Sequence, residues 1–193
     1  MRYKHTESIL EQHVTPDCTV LDIGCGSSPY KDLFERYVGC DLPGNPYEKP
    51  GYTDIYCDGQ ALPFREGLFD LIFLVGVLFQ IPDTQAVLSE GKRVLKDNGR
   101  ILIFDYNRKT TARLKRSEAG GNNQYHVWSP FRLASIVRKA GFKASILYDY
   151  CTSEPTEKWK SLFWRSRWVR YLRFIAVEVL RREGWNIVIG RKV

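Results

Sequence analysis

Val20-Leu21-Asp22-Ile23-Gly24-Cys25-Gly26-Ser27-Ser28-Pro29-Tyr30 puts a short strand-forming run directly against two glycines and a proline. Val20, Leu21 and Ile23, bounded by that turn signal, read as a buried strand. Gly24 and Gly26 let the chain turn sharply and bring backbone close to a ligand, because neither carries a Cβ. Pro29 suits the first turn of a following helix, expected over residues 29–36. Strand, glycine turn and helix start in this order predict an open α/β sheet with a ligand held at the turn.

A dinucleotide fingerprint begins the same way, but it needs a third glycine three residues after the second for close helix–strand packing. Pro29 stands there, which argues against NAD. Asp22 lies inside the strand end instead, and further acids recur downstream. Tyr37-Val38-Gly39-Cys40-Asp41 is a second short run ending in an acid, and Tyr56-Cys57-Asp58 a third. Phe69-Asp70-Leu71-Ile72-Phe73-Leu74-Val75 reads as a fully buried fourth strand. A single strand-end Asp is commonly a cap or turn residue. Three at successive strand ends mark the crevice where open parallel sheets bind ligands.

The pattern D-x-G-x-G-x-S over Asp22–Ser28 resembles motif I of the class I S-adenosylmethionine-dependent methyltransferases, of the methyltransferase type 11-like kind, which prefer glycine where Ser28 stands. The resemblance continues through Asp58-Gly59-Gln60-Ala61-Leu62-Pro63-Phe64, through Val77–Asp83 with Gln80 where many relatives carry histidine, and through the Glu90–Ile103 helix, glycine turn and fifth strand. It implies S-adenosyl-L-methionine as cofactor. Asp41 then accepts hydrogen bonds from the ribose hydroxyls with Leu42 beside it, and Asp58 faces the adenine amino group with Gly59 and Gln60. Asp22, Gly24, Cys25 and Gly26 line the turn, and Val75 and Gln80 the methionine side. From the residues alone, holding the glycine turn is as good a reading for Asp22, and capping the helix near Asp83 as good a one for Gln80.

The implied fold is α/β: a doubly wound, Rossmann-like, seven-stranded and mostly parallel sheet. Its last strand, Trp185–Lys192, is antiparallel between strands five and six, with a basic helical insertion before it. The expected order opens with a helix over about 7–13. It continues through a proline- and glycine-rich crossover, Leu42–Gly51, that passes near the ribose. A basic loop, Asn107–Tyr125, lies over the substrate mouth as a lid or as a plain surface loop. Ser129-Pro130 starts a helix that Gly141 ends, and strand six is expected over 142–150.

The 193 residues, 44% hydrophobic with mean hydropathy −0.34, fit a single methyltransferase domain spanning 1–193. The first seven residues lack a signal peptide's apolar core, and the five cysteines form no C-x-x-C pair. A reduced, cytoplasmic protein without metal is therefore expected. The net charge of +7 is concentrated in the tail, where residues 157–193 carry ten Lys and Arg against three Glu. The insertion, 152–184, contains an amphipathic pattern with Trp168, Leu172, Ile175 and Val179 on one face and Arg167, Arg170 and Arg173 opposite. It suits packing on its own domain or, through 159–182, peripheral contact with an anionic membrane.

A sulfonium methyl is already electrophilic, so a base is needed only for a nucleophile that arrives protonated. His126, in Tyr125-His126-Val127-Trp128-Ser129 just before a helix, is the candidate base; it resembles the family's H-x-W-S entry. Gly76-Val77-Leu78-Phe79 replaces the Asn/Asp-Pro-Pro-Tyr/Phe loop that grips planar nitrogens in amino-methylating enzymes of nucleic acid. A small-molecule, glycan or lipid-linked acceptor is therefore expected ahead of RNA, with a non-catalytic cofactor-binding scaffold as a further alternative.

Overall fold

The computed structural model describes residues 4–15, 17–27, 29–49, 51–107, 110–111, 125–147 and 185–193, and the insertion 152–184 lies outside them. Seven strands form one sheet: β1 (Thr19–Ile23), β2 (Arg36–Asp41), β3 (Ile55–Tyr56), β4 (Phe69–Val75), β5 (Leu95–Tyr106), β6 (Phe142–Ile146) and β7 (Trp185–Lys192). Their order is β3-β2-β1-β4-β5-β7-β6. The chain reverses direction across the sheet between β1 and β4, which are parallel neighbours, so loops after β1, β2 and β4 converge beyond their C-terminal ends. β7 runs antiparallel between β5 and β6, as the resemblance implies.

The described helices cover both faces. On one, α1 (Lys4–His13) buries Ile9 and Leu10 against Val20, Leu71, Phe73 and Phe104. On the other lie α2 (Thr84–Val94) and α3 (Pro130–Lys139), over Leu21, Ile72, Ile101 and Ile103. Each start is locally encoded. The Asp83 side chain accepts from Ala86 N, and Ser129 from Arg132 N ahead of Pro130. Gly141 at φ +86° then follows α3, in the left-handed conformation glycine tolerates best.

Three expectations change. Residues 29–36 form a single 3-10 turn, Lys31–Leu33, instead of a helix, and Phe34 is already extended at φ −132° and ψ 137°. Aromatic packing accounts for it: Phe34 stacks on Tyr37 with centroids 6.2 Å apart and meets Phe73 at 5.8 Å, while Tyr30 meets Phe73 edge-on. The first helix starts at Lys4, earlier than its apolar pattern does. β6 ends at Ile146, and the remainder of its expected span, 148–150, lies outside the described residues. β5 begins at Leu95, paired with Phe69, and its next pair is Arg100 with Leu71. The intervening bulge holds Asn98 at φ 62° and Gly99, where a Cβ would sit 2.8 Å from the Lys96 carbonyl oxygen.

Candidate functional site

The glycine turn is tied to the end of β2. Gly24 N and Cys25 N donate to the Cys40 carbonyl at 2.8 and 3.1 Å, and Gly26 N donates to Asp41 Oδ2 at 2.7 Å. Gly24 at φ +73° and Gly26 at φ +53° both need the left-handed region. A Cβ on Gly24 would lie 2.5 Å from Val77 Cγ2, so the loops after β1 and β4 meet there.

Asp41, 7% exposed, is the hub of this side. Besides Gly26 N it accepts from Asn45 Nδ2 at 2.7 Å and from Leu42 N at 2.8 Å. A carboxylate offers about four lone-pair positions, so this one combines a fixed orientation with remaining capacity to accept. Asp58 is exposed at the end of β3 and accepts from Gln60 N at 2.8 Å and from its Nε2 at 3.1 Å, closing a local turn. A Cβ on Gly59 would come within 3.0 Å of Ile23 Cγ2, so glycine lets this turn rest against β1. Leu42 and Gln80 are exposed, Cys25 is buried and Val75 half-buried at the end of β4.

Asp22 sits lower. It is 2% exposed and accepts from Tyr37 Oη at 2.8 Å. Burial pushes its carboxyl up to about 8; the Tyr37 hydrogen bond opposes the shift and the Asp41 charge adds to it.

The side of the crevice beyond β4 and β5 is aromatic. Phe79 meets Tyr106 at 5.0 Å and Tyr125 at 5.1 Å between centroids, and His126 stacks on Trp128 at 4.9 Å. His126 N donates to the Phe79 carbonyl at 2.6 Å, fastening this segment to the turn after β4. His126 Nε2 lies 2.8 Å from the Ile81 carbonyl oxygen, which can only accept, so Nε2 carries the proton. Nδ1 is then the nitrogen able to take one.

Sequence reasoning passed over Asp105, Asn186 and Asn45. Asp105, 0% exposed, is the penultimate residue of β5 where Asp41 is the last of β2, and that repeated acid near a strand end was the available signal. Asn186 and Asn45 act through contacts that no local pattern reveals. Among the described residues no His/Cys/Asp/Glu group could hold a metal ion, and no helix is long and apolar enough to cross a membrane.

A family model described as a methyltransferase domain matches residues 21–103. A protein of Encephalitozoon cuniculi bearing a methyltransferase name is 26% identical over 174 residues, covering 78% of this chain and 81% of its own. The human probable tRNA methyltransferase 9B is 33% identical over 101 residues, covering 48% of this chain and 22% of that protein. In fold, a Haloferax volcanii chain solved with the Trm112 methyltransferase activator superposes with a TM-score of 0.67 at 22% identity, covering 98% of this chain and 89% of that one.

Proposed function

Since the chain belongs to the class I S-adenosylmethionine-dependent methyltransferases, we propose that it methylates a small-molecule, glycan or lipid-linked acceptor seated between the end of β5 and the His126 segment. S-adenosylmethionine is its cofactor. The site residues fit that group on two counts. Gly24 and Gly26 leave room for a close backbone approach, and Asp41 presents an oriented carboxylate with accepting capacity to spare.

In this reading Asp41 holds the ribose hydroxyls with Leu42 alongside, and Asp58, Gly59 and Gln60 meet the adenine. Asp22 supports the turn Gly24-Cys25-Gly26 from below, and Val75 and Gln80 border the methionine end. When bound, the cofactor supplies a methyl group already activated as a sulfonium. The chain's own work is alignment and exclusion of water. His126 Nδ1 accepts a proton from any nucleophile that arrives protonated, while Nε2 keeps the ring fixed on Ile81.

The observation that carries the acceptor class is the aromatic wall of Phe79, Tyr106 and Tyr125, suited to a compact apolar or ring-bearing group. Calorimetry with S-adenosylhomocysteine tests the cofactor half. Asp41→Ala should weaken binding at least about tenfold, as loss of charge-assisted hydrogen bonds of roughly 1.5–3 kcal/mol requires. An acceptor screen with labelled methyl donor follows, with small amines and phenols, glycans, lipid extracts and total tRNA as separate arms. The tRNA arm represents a second reading, favoured by the likeness to tRNA methyltransferase 9B. Label in tRNA alone would replace the first. The basic segment 159–182, outside the described residues, extends the proposal to anionic membranes: binding to vesicles should rise with their negative charge and fall with salt.

A further inference from the structure

Three buried polar atoms beneath the acceptor wall have no hydrogen-bond partner among the described residues: Asp105 Oδ2, Asn186 Oδ1 and Trp128 Nε1. Asn186 Nδ2 donates to the carbonyl oxygens of Tyr106 at 3.3 Å and Trp128 at 3.1 Å. Both carbonyls can only accept, so the amide cannot be turned over and Oδ1 must face away from them. Asp105 and Asn186 are direct partners across the antiparallel β5–β7 ladder, which puts their side chains on one face. Two buried acceptors on facing residues of one ladder are unfavourable unless a donor serves them. A proton on Asp105 Oδ2 is that donor.

We propose that Asp105 is a positioning residue of the acceptor site, held as a neutral carboxylic acid that donates to Asn186 Oδ1 and so locks β5, β7, the Phe79 turn and Trp128 into one arrangement. This rests on the methyltransferase reading for its role, though not for its chemistry. Asp105 Oδ1 accepts from Tyr106 N at 2.9 Å, and the Phe79 N–H also reaches the carboxyl. Phe79 in turn holds His126 through its carbonyl. The Trp128 indole N–H approaches closely enough to favour the charged form without completing a hydrogen bond of ordinary geometry. Burial outweighs these donors and pushes the Asp105 carboxyl up to about 8. Around it are Asn186 from β7, the Phe79 backbone after β4, and Trp128; the titratable Tyr125 and His126 pack on Phe79 and Trp128 in turn, Tyr106 on Phe79, and none of these three side chains is among the causes of the shift.

The folded state thus holds a proton that the unfolded chain releases near the ordinary carboxylate range. Its contribution is full at acid pH, declines as pH rises above that range and is gone above about 8. Ionisation would set a charge beside Asn186 Oδ1 and release the lock.

The experiment follows the Trp128 indole 1H–15N resonance of the full-length protein from pH 6 to 10, assigned with Trp128→Phe. A step centred near pH 8 is expected in wild type and a flat profile in Asp105→Asn, whose amide donates to Asn186 at every pH. Thermal melts across the same range should show Asp105→Asn gaining on wild type by at least about 3 °C at the alkaline end, and Asp105→Leu losing stability throughout. A flat wild-type profile, or the same step in Asp105→Asn, overturns the proposal even if a variant fails to fold. S-adenosylhomocysteine calorimetry on the same wild-type samples separates the two readings. Absent cofactor binding defeats the methyltransferase site and leaves the indole titration standing.

Discussion

The two halves of the crevice are built by opposite strategies. Around Asp41 every donor is close at hand: Gly26 N, Leu42 N and Asn45 Nδ2 saturate most of one carboxylate through two adjacent loops. Around Asp105 the partners come from β7, from the turn after β4 and from the segment before α3, and three polar atoms have no partner among the described residues unless Asp105 carries a proton. A carboxylate oriented by three donors, with accepting capacity left, suits a ligand that never varies. A buried, incompletely satisfied cluster suits a wall whose shape depends on one proton.

The sharpest way to break this contrast is Gly24→Val. Left-handed backbone costs a β-branched residue roughly 1–2 kcal/mol, and a Cβ 2.5 Å from Val77 Cγ2 adds an overpacking cost of about 1–3 kcal/mol. Against a total stability of about 5–15 kcal/mol, the variant should fold poorly and show no measurable binding of S-adenosylhomocysteine. A denaturant midpoint and affinity close to wild type would mean that the glycine turn is neither tight nor at the cofactor.

His126→Ala probes the other half. With Nδ1 as proton acceptor, turnover on the acceptor found by the screen should fall by roughly 10²–10⁴-fold while cofactor affinity stays within about twofold. Equal losses in both quantities would instead make His126 a prop for the Phe79 turn, to which its backbone is already bonded.

These halves also differ in how far the chain's local patterns reveal them. Between Asp22 and Asp58 each strand end is followed at once by its turn or acid, so local spacing exposes the crevice, and the proposed cofactor roles come from the resemblance. The β7 insertion was legible too, through the resemblance of Trp185–Lys192 to the methyltransferases' last strand. The helix after Pro29 was not, since three aromatic rings packing on Phe73 outweigh a weak local preference. Nor was the Asp105 cluster, whose central bond joins residues 58 positions apart, Asn186 to Trp128.

Asp22 gives the Asp41 half a pH dependence of its own. Its carboxyl, pushed up to about 8 mainly by burial, takes up a proton on folding between the ordinary carboxylate range and that value. Stability from this group is therefore complete below about pH 4, declines at about 1.4 kcal/mol per pH unit above it, and is gone above pH 8. Asp22→Asn should flatten that slope by one proton and still accept from Tyr37, as chemical denaturation at pH 5, 6, 7 and 8 would measure. An unchanged slope would show that Asp22 stays ionised, and would return it to the crevice as a direct ligand of the cofactor.

Asn45→Ala is the gentlest test of the Asp41 hub. Its amide shares Asp41 Oδ2 with Gly26 N, so removing it leaves the carboxylate with two donors and more capacity for ribose hydroxyls. The cost to the fold is two hydrogen bonds, the one to Asp41 and the Tyr47 N–H that donates to Asn45 Oδ1 at 3.0 Å, about 0.5–1.5 kcal/mol each, and the loop keeps the Glu48 contact to Tyr56. S-adenosylhomocysteine should then bind about two- to threefold more tightly, in calorimetry at fixed pH and salt. Weakening by tenfold or more would reverse the account: Asn45 would be shaping the ribose side rather than competing for it, and Asp41 would need its third donor to bind at all.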